Sequence, residues 1–215
     1  MVSVEAYAAW RGISEQRVRE LLRAGELSGR RVGKSQWEVD DVAFAARPRS
    51  SRPMSPRMAW ALIRMMSGEP LGNVAPSERS RLRSKLLKLQ SSQDPAALLS
   101  AWLKSRGERK AFSIAPQDLD DLEADDRVMR SGISDPRSGI SSGDKAELWV
   151  RNGERLNSVI KDYLMIPDPK GQVILHSGGN HPDPVAPIGL VLADLADWNG
   201  PRENGKVAEL LAASL

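Results

Sequence analysis

The chain has no cysteine, which excludes both a disulfide framework and a thiolate metal site. Aromatic residues are scarce at 5% of 215 positions, and six of the ten are tryptophan, so the few large rings must sit in a small number of packing sites. There are two histidines, His176 and His181, and no Gly-x-Ser-x-Gly motif, which leaves little material for imidazole-assisted nucleophilic chemistry. No apolar run approaches the roughly 18 residues of a membrane span, so no membrane partner is expected. The opening Met1-Val2-Ser3-Val4-Glu5 carries an acid where a signal peptide carries basic residues, and a cytoplasmic, nucleoid-associated location is the expectation. Hydrophobic residues at 40% suffice for one ordinary core or two small ones, and two are expected.

The net charge of +3 hides a division. Residues 1–111 carry about +10 and residues 112–215 about −7. The basic half is suited to a polyanion, because neutralised phosphates release counterions and the charge steers encounter. Such a field gives affinity without specificity.

Specificity, if present, has to come from residues 13–39. Ser14 is a good N-cap, and Val18, Leu21 and Leu22 follow at helical spacing with Ile13 just ahead. The opposite face carries Gln16, Glu20 and Arg23, flanked by Arg17 and Arg19. Gly25 supplies the helix stop and Leu27 returns to the core. The stretch from Arg31 through Val32-Gly33-Lys34-Ser35-Gln36-Trp37-Glu38 to Val39 alternates about a Gly-Lys turn, as a hairpin does. Upstream, Ser3 caps a helix holding Val4, Tyr7, Ala8 and Trp10, with Gly12 at the turn. Downstream, Asp40-Asp41-Val42-Ala43-Phe44 starts a short third helix, and the unit closes near Ala46.

This order of helix, Gly-Ile-Ser turn, Arg-rich helix, Ala24-Gly25-Glu26-Leu27 and Arg31-Val32-Gly33-Lys34 resembles the excisionase and MerR-like winged helix-turn-helix domains. The resemblance covers residues 1–46. It implies that the second helix enters the major groove of double-stranded DNA and the wing touches backbone or minor groove. Carried over by position, Ser14, Gln16, Arg17, Arg19 and Arg23 face the groove, with Arg30, Arg31, Lys34 and Ser35 on the wing.

Residues 47–57 form a Pro/Ser/Arg linker whose prolines exclude a continuous helix. Its Arg47, Arg49 and Arg52 are suited either to phosphate contact or to solubilising a tether. Residues 58–111 are expected to be a basic helical region. A helix from Ser55 to Gly68 carries Met58, Leu62, Met65 and Met66 inward. A second from Ser77 carries Leu82, Leu86 and Leu89, and a third after Asp94-Pro95 carries Leu98, Leu99, Trp102 and Leu103. Lys104, Arg106, Arg109 and Lys110 extend a positive strip up to Phe112.

Residues 112–215 read as an acidic α+β domain. Ala115 to Leu122 is a short acidic helix, and Ser-Gly-Ile-Ser occurs at 131 and again at 138, which reads as turn structure because no Walker lysine follows. Ala146 to Arg151 alternates like a strand and Gln172 to His176 reads as a second strand, with helical spacing at 154–164 between them and final helices at 188–198 and 201–215. The chain as a whole is therefore expected to be α+β: an N-terminal winged helix-turn-helix, a helical connector and a small mixed C-terminal domain. Asp125-Asp126-Arg127-Val128-Met129, Ser131-Gly132-Ile133-Ser134, Leu148-Trp149-Val150, Val173-Ile174-Leu175-His176, Ala193-Asp194-Leu195-Ala196 and Gly200-Pro201-Arg202-Glu203 together resemble the C-terminal domain of AbiEi-type antitoxins. That resemblance implies a repressor of its own promoter, encoded beside a nucleotidyltransferase-like toxin, with dimerisation or partner binding through this half.

No enzymatic activity and no cofactor are expected. His176 and His181, with Asp183 nearby, flank Ser177-Gly178-Gly179-Asn180, which lacks a regular pattern to fix metal ligands, so both read as loop histidines. The acidic cluster at Asp118, Asp120, Asp121, Glu123, Asp125 and Asp126 reads as a solvated helix face. Beside an autoregulating antitoxin stand two other readings: an excisionase-like architectural protein of a mobile element or phage, and a non-catalytic module for protein or RNA.

Overall fold

The computed structural model describes residues 2–11, 13–24, 27, 29–32, 36–39, 52–178 and 184–214. The chain is α+β and forms two compact units, Met1–Ser50 and Ser51–Leu215.

In the first unit, β1 (Val2–Ser3) leads into α1 (Val4–Arg11) and α2 (Glu15–Arg23), followed by β2 (Gly29–Val32) and β3 (Gln36–Val39). The strands form an antiparallel sheet in the order β1-β3-β2, with Arg30 opposite Glu38 and Arg31 opposite Trp37. Val4, Tyr7, Ala8, Val18, Leu22, Leu27 and Val39 make one small core, which fixes α2 against the hairpin. Gly29 permits that approach: a Cβ there would lie 2.5 Å from Leu22 Cδ2 and 2.6 Å from the Glu38 carbonyl oxygen. The Gly-Lys hairpin tip and the helix expected at 40–46 lie outside the described residues.

In the second unit, three helices come first: α3 (Pro56–Met66), α4 (Pro76–Gln90) and α5 (Pro95–Leu103). Each begins with proline in its first turn, where the missing N–H costs nothing. Next come β4 (Glu108–Ser113), α6 (Leu119–Ala124), β5 (Val128–Arg130), β6 (Ala146–Val150), α7 (Leu156–Asp162), β7 (Ile166–Pro167), β8 (Val173–Ser177), α8 (Ile188–Trp198) and α9 (Pro201–Ser214). The five strands are ordered β5-β6-β8-β4-β7, with β6 and β8 parallel at the centre and the other neighbours antiparallel.

The central strands are buried along their whole length and divide their side chains by parity. Ala146, Leu148, Val150, Val173 and Leu175 join Leu122 and Val159 in a core beneath α6 and α7. Trp149 and its same-face neighbours meet the helices α3, α5, α8 and α9, whose core includes Leu62, Leu99, Trp102, Leu190, Leu195 and Val207. The basic stretch 58–111 and the acidic stretch 112–215 thus share one core, although they part at residue 111 in charge. Gly189 sets the spacing, since a Cβ there would lie 2.3 Å from the Ile63 carbonyl oxygen.

Two expectations change. Residues 108–113 are a strand inside the sheet, and Arg106 is buried, so 104–110 is not one surface strip. Alternation is hidden there because Glu108, Arg109 and Lys110 are all charged. The linker also ends earlier than expected: the Met54 N–H donates to the Trp102 carbonyl at 2.9 Å, so the chain has joined the second unit before Pro56.

The acidic cluster is only partly a solvated face. Asp125 accepts from Arg127 Nη2 at 2.6 Å, from the Arg127 N–H at 2.8 Å and from Tyr163 Oη at 3.0 Å. The Arg127 bonds hold its carboxyl down at about 2. A carboxylate with a depressed folded-state pKa contributes stability above its unfolded value, near 4, and loses it as pH falls through the folded value. Asp125→Asn is therefore expected to lower stability at neutral pH, and the gap from the parent should close between about pH 4 and pH 2. Urea melts across that range measure it; a gap independent of pH contradicts the assignment.

Candidate functional site

Two places gather charged and polar side chains, one in each unit. In the first, Ser14 caps α2: its Oγ accepts from the Arg17 N–H at 3.2 Å, so this oxygen holds the helix end. Val18 and Leu22 are buried, and Gln16, Arg17, Glu20 and Arg23 are exposed on the outer face, with Arg19 half-exposed. Arg17 pairs with Glu20 at 3.2 Å, Arg19 with Glu15 at 2.6 Å, and Gln16 Nε2 donates to Glu20 at 3.5 Å. Across the hairpin, Arg30 pairs with Glu38 at 3.0 Å, and Arg31 is exposed beside it. Exposed pairs of this kind contribute about 0–1 kcal/mol, so the guanidinium groups can exchange carboxylate for phosphate at little cost. Arg52 is exposed at the start of the second unit. Lys34, Ser35, Arg47 and Arg49 lie outside the described residues. The face is less positive than the arginines alone suggest, because Glu15 and Glu20 stand among them.

The second place is buried in the larger unit, on the helix-facing side of the sheet. Glu147 from β6, His176 from β8 and Asp194 from α8 present ligand atoms that all lie within 4.8 Å of one another. His176 is thus a buried strand residue and not a loop histidine: it lies inside β8, directly after the apolar run Val173-Ile174-Leu175. His181 and Asp183 lie outside the described residues.

The partners close this cluster. Glu147 Oε1 meets His176 Nε2 at 2.9 Å, and Glu147 Oε2 accepts from Trp198 Nε1 at 2.6 Å and from the Ile133 N–H at 3.3 Å. Asp194 Oδ1 accepts from Arg106 Nε at 3.0 Å and Nη2 at 2.6 Å, while Oδ2 accepts from Trp149 Nε1 at 2.7 Å and from Ser131 Oγ. Arg106 also reaches Asp197 at 2.6 Å. The Trp149 and His176 rings stack with centroids 4.8 Å apart and an interplanar angle of 10°. Burial raises the Glu147 carboxyl against the opposing hydrogen bond from His176. Burial also acts to raise Asp194, but His176, Arg106, Ser131 and Trp149 together hold it below the ordinary carboxylate range. Burial would lower Arg106, and the charges of Asp194 and Asp197 raise it instead.

Glu147, His176 and Asp194 have the donor types of a divalent-cation site. Both Asp194 oxygens, however, already accept two donors each, and a cation there would stand against the Arg106 guanidinium. The arrangement therefore works as a closed ionic and hydrogen-bonded anchor tying α8, β6, β8 and the 131–134 turn together. The sequence signal for it was a charge flanked by apolar residues inside an apolar element: Glu147 between Ala146 and Leu148, and Asp194 between Ala193 and Leu195.

No protein-family model, curated protein or solved structure matches the chain.

Proposed function

We propose that the protein is a sequence-specific DNA-binding repressor in which the first unit is a winged helix-turn-helix. The observation that carries this reading is α2 with its following hairpin. It is a Ser14-capped helix that buries Val18 and Leu22, exposes Gln16, Arg17 and Arg23, and leads into strands exposing Arg30 and Arg31. A short amphipathic helix held by a small core, with a basic hairpin beside it, is how such domains reach base edges and flanking phosphates together. The finer reading is an autoregulating antitoxin acting at its own promoter, with the second unit dimerising or engaging a nucleotidyltransferase-like toxin. It is supported by the resemblance of residues 112–215, and its segments coincide with the buried anchor: Ser131, Trp149, His176 and Asp194 all fall within them. A neighbouring gene for such a toxin favours this reading, and a neighbouring integrase favours an excisionase-like role.

The test is titration of the protein against a duplex from its own upstream region and against a scrambled duplex, at two salt concentrations. Preference for the upstream duplex is expected to persist at the higher salt; equal affinity for both overturns operator recognition. Arg17→Ala and Arg23→Ala are expected to reduce the preference by roughly tenfold each, at about 1–3 kcal/mol per base contact. Arg52→Ala should instead weaken both duplexes alike. If all three substitutions act alike, α2 is not the reading element.

A further inference from the structure

The second unit exposes a basic surface that the helix-and-hairpin reading does not use. Helix α4 runs for 15 residues, about 22 Å, and buries only Leu82 and Leu89 fully. Successive residues turn about 100° around a helix axis, which sorts the exposed positions into three rows. Arg79 and Arg83 share one edge, Arg81 and Lys88 the other, and Ser80, Ser84 and Leu87 lie between them. All seven are exposed, and none of the four cations has an ion-pair partner among the described residues. The helix's one acid, Glu78, is taken by Arg57 and by the Ala75 N–H. Lys85 does not belong to these rows; its ammonium lies 3.9 Å from the centre of the Trp102 ring, and burial lowers its pKa.

A helix with a cation row on each flank, and with Ser80 and Ser84 followed by Leu87 along its crest, has the charge pattern of one lying between two phosphate strands. The crest can approach closely because Ser80 and Ser84 are small, and the Ser84 hydroxyl is turned back onto the Ser80 carbonyl at 3.2 Å. We propose that α4 is a second DNA-contacting element, binding the sugar-phosphate backbone of duplex DNA through Arg79, Arg83, Arg81 and Lys88 without reading sequence. An acidic peptide is the less favoured occupant. The groove of about 610 Å³ beside Arg79 and Arg83 has an apolar floor of Met65, Leu71 and Leu86, but it also carries Glu69. The two flanking rows point away from each other, as one short peptide would not require.

This role of α4 takes its partner from the DNA-binding reading, and a different quantity measures it. Full-length protein and the variant Arg79→Gln/Arg81→Gln/Arg83→Gln/Lys88→Gln are titrated with a random-sequence duplex between about 50 and 200 mM salt. Each phosphate that the variant leaves unneutralised should reduce the slope of log affinity against log salt by about 0.9, so the slope is expected to fall by about 3 to 4 and affinity by roughly tenfold or more. The substituted side chains are exposed, so the thermal melt should be unchanged. An unchanged slope overturns the proposal and leaves α2 untouched. An unchanged slope with weakened binding to poly-glutamate also overturns it, and assigns the face to an acidic protein. If the parent shows the α4-dependent slope but no preference for its upstream duplex, operator reading fails and this proposal stands. If the parent binds no duplex at all, both fail.

Discussion

Asp194→Ala is expected to destabilise the second unit by about 3–5 kcal/mol, the cost of leaving a buried charge without its partner. The substitution strips Arg106 of two of its three carboxylate hydrogen bonds, at 3.0 and 2.6 Å, while the guanidinium stays almost wholly out of solvent. It also removes the Asp194 acceptor of Trp149 Nε1 and of Ser131 Oγ, and a buried donor that loses its acceptor costs about 1–3 kcal/mol where no water can enter. Asp197, at 2.6 Å from Arg106 and partly exposed, compensates for some of the missing interaction, which keeps the total from being a simple sum. Replacing both charges, as in Arg106→Met/Asp194→Leu, should cost less than Asp194→Ala alone, because paired removal avoids the orphaned charge. Urea denaturation of the three proteins measures this ordering. A cost below about 1 kcal/mol for Asp194→Ala would show that water or another group reaches Arg106.

The same cluster explains which parts of the fold could be read from sequence. Helices α3, α5, α8 and α9 follow from apolar spacing and from proline at or near their starts, because both signals are local. Strand β6 follows from alternation, and β8 from the short apolar run Val173-Ile174-Leu175. Strand β4 does not, since its exposed start reads as charge, and its place between β8 and β7 is set by pairing with residues about 60 positions later. The candidate positions divide along the same line. The cap of Ser14 and the exposed arginines of α2 are legible because they lie within ten residues of one another. Glu147, His176, Asp194 and Arg106 come from four separate segments, and only the parallel register of β6 on β8 sets Trp149 beside His176. Glu147 and Asp194 were visible as charges inside apolar elements, whereas Arg106 read as part of a positive strip and His176 as a loop histidine; the convergence of the four was not visible. The division at residue 111 misled for a related reason, because charge is a surface property and the core beneath it is continuous across that boundary.

Trp149→Ala is the second substitution expected to act strongly, at about 3–5 kcal/mol for the loss of a buried aromatic. The indole is fully buried, meets Trp60 edge-on with centroids 5.6 Å apart at 78°, and stacks on His176. Removing it opens a cavity where the sheet meets α8, and it withdraws one of the four donors that hold Asp194. Two parts of the effect are separable. Trp149→Phe keeps a six-membered ring in the site but removes the Nε1 donor and part of the ring volume, so it should cost less than Trp149→Ala, at about 1–3 kcal/mol. Trp149→Ala combined with Asp194→Ala should cost less than the two single changes added together, by about 0.5–3 kcal/mol, since the single changes break the same bond. Denaturant melts of the four proteins close this cycle. Strict additivity would mean that the 2.7 Å hydrogen bond between Trp149 and Asp194 contributes nothing, and that Asp194 is held by Arg106 and Ser131 instead. A coupling in the expected range would instead assign that much of the anchor's stability to the contact between the indole and Asp194, which joins β6 to α8.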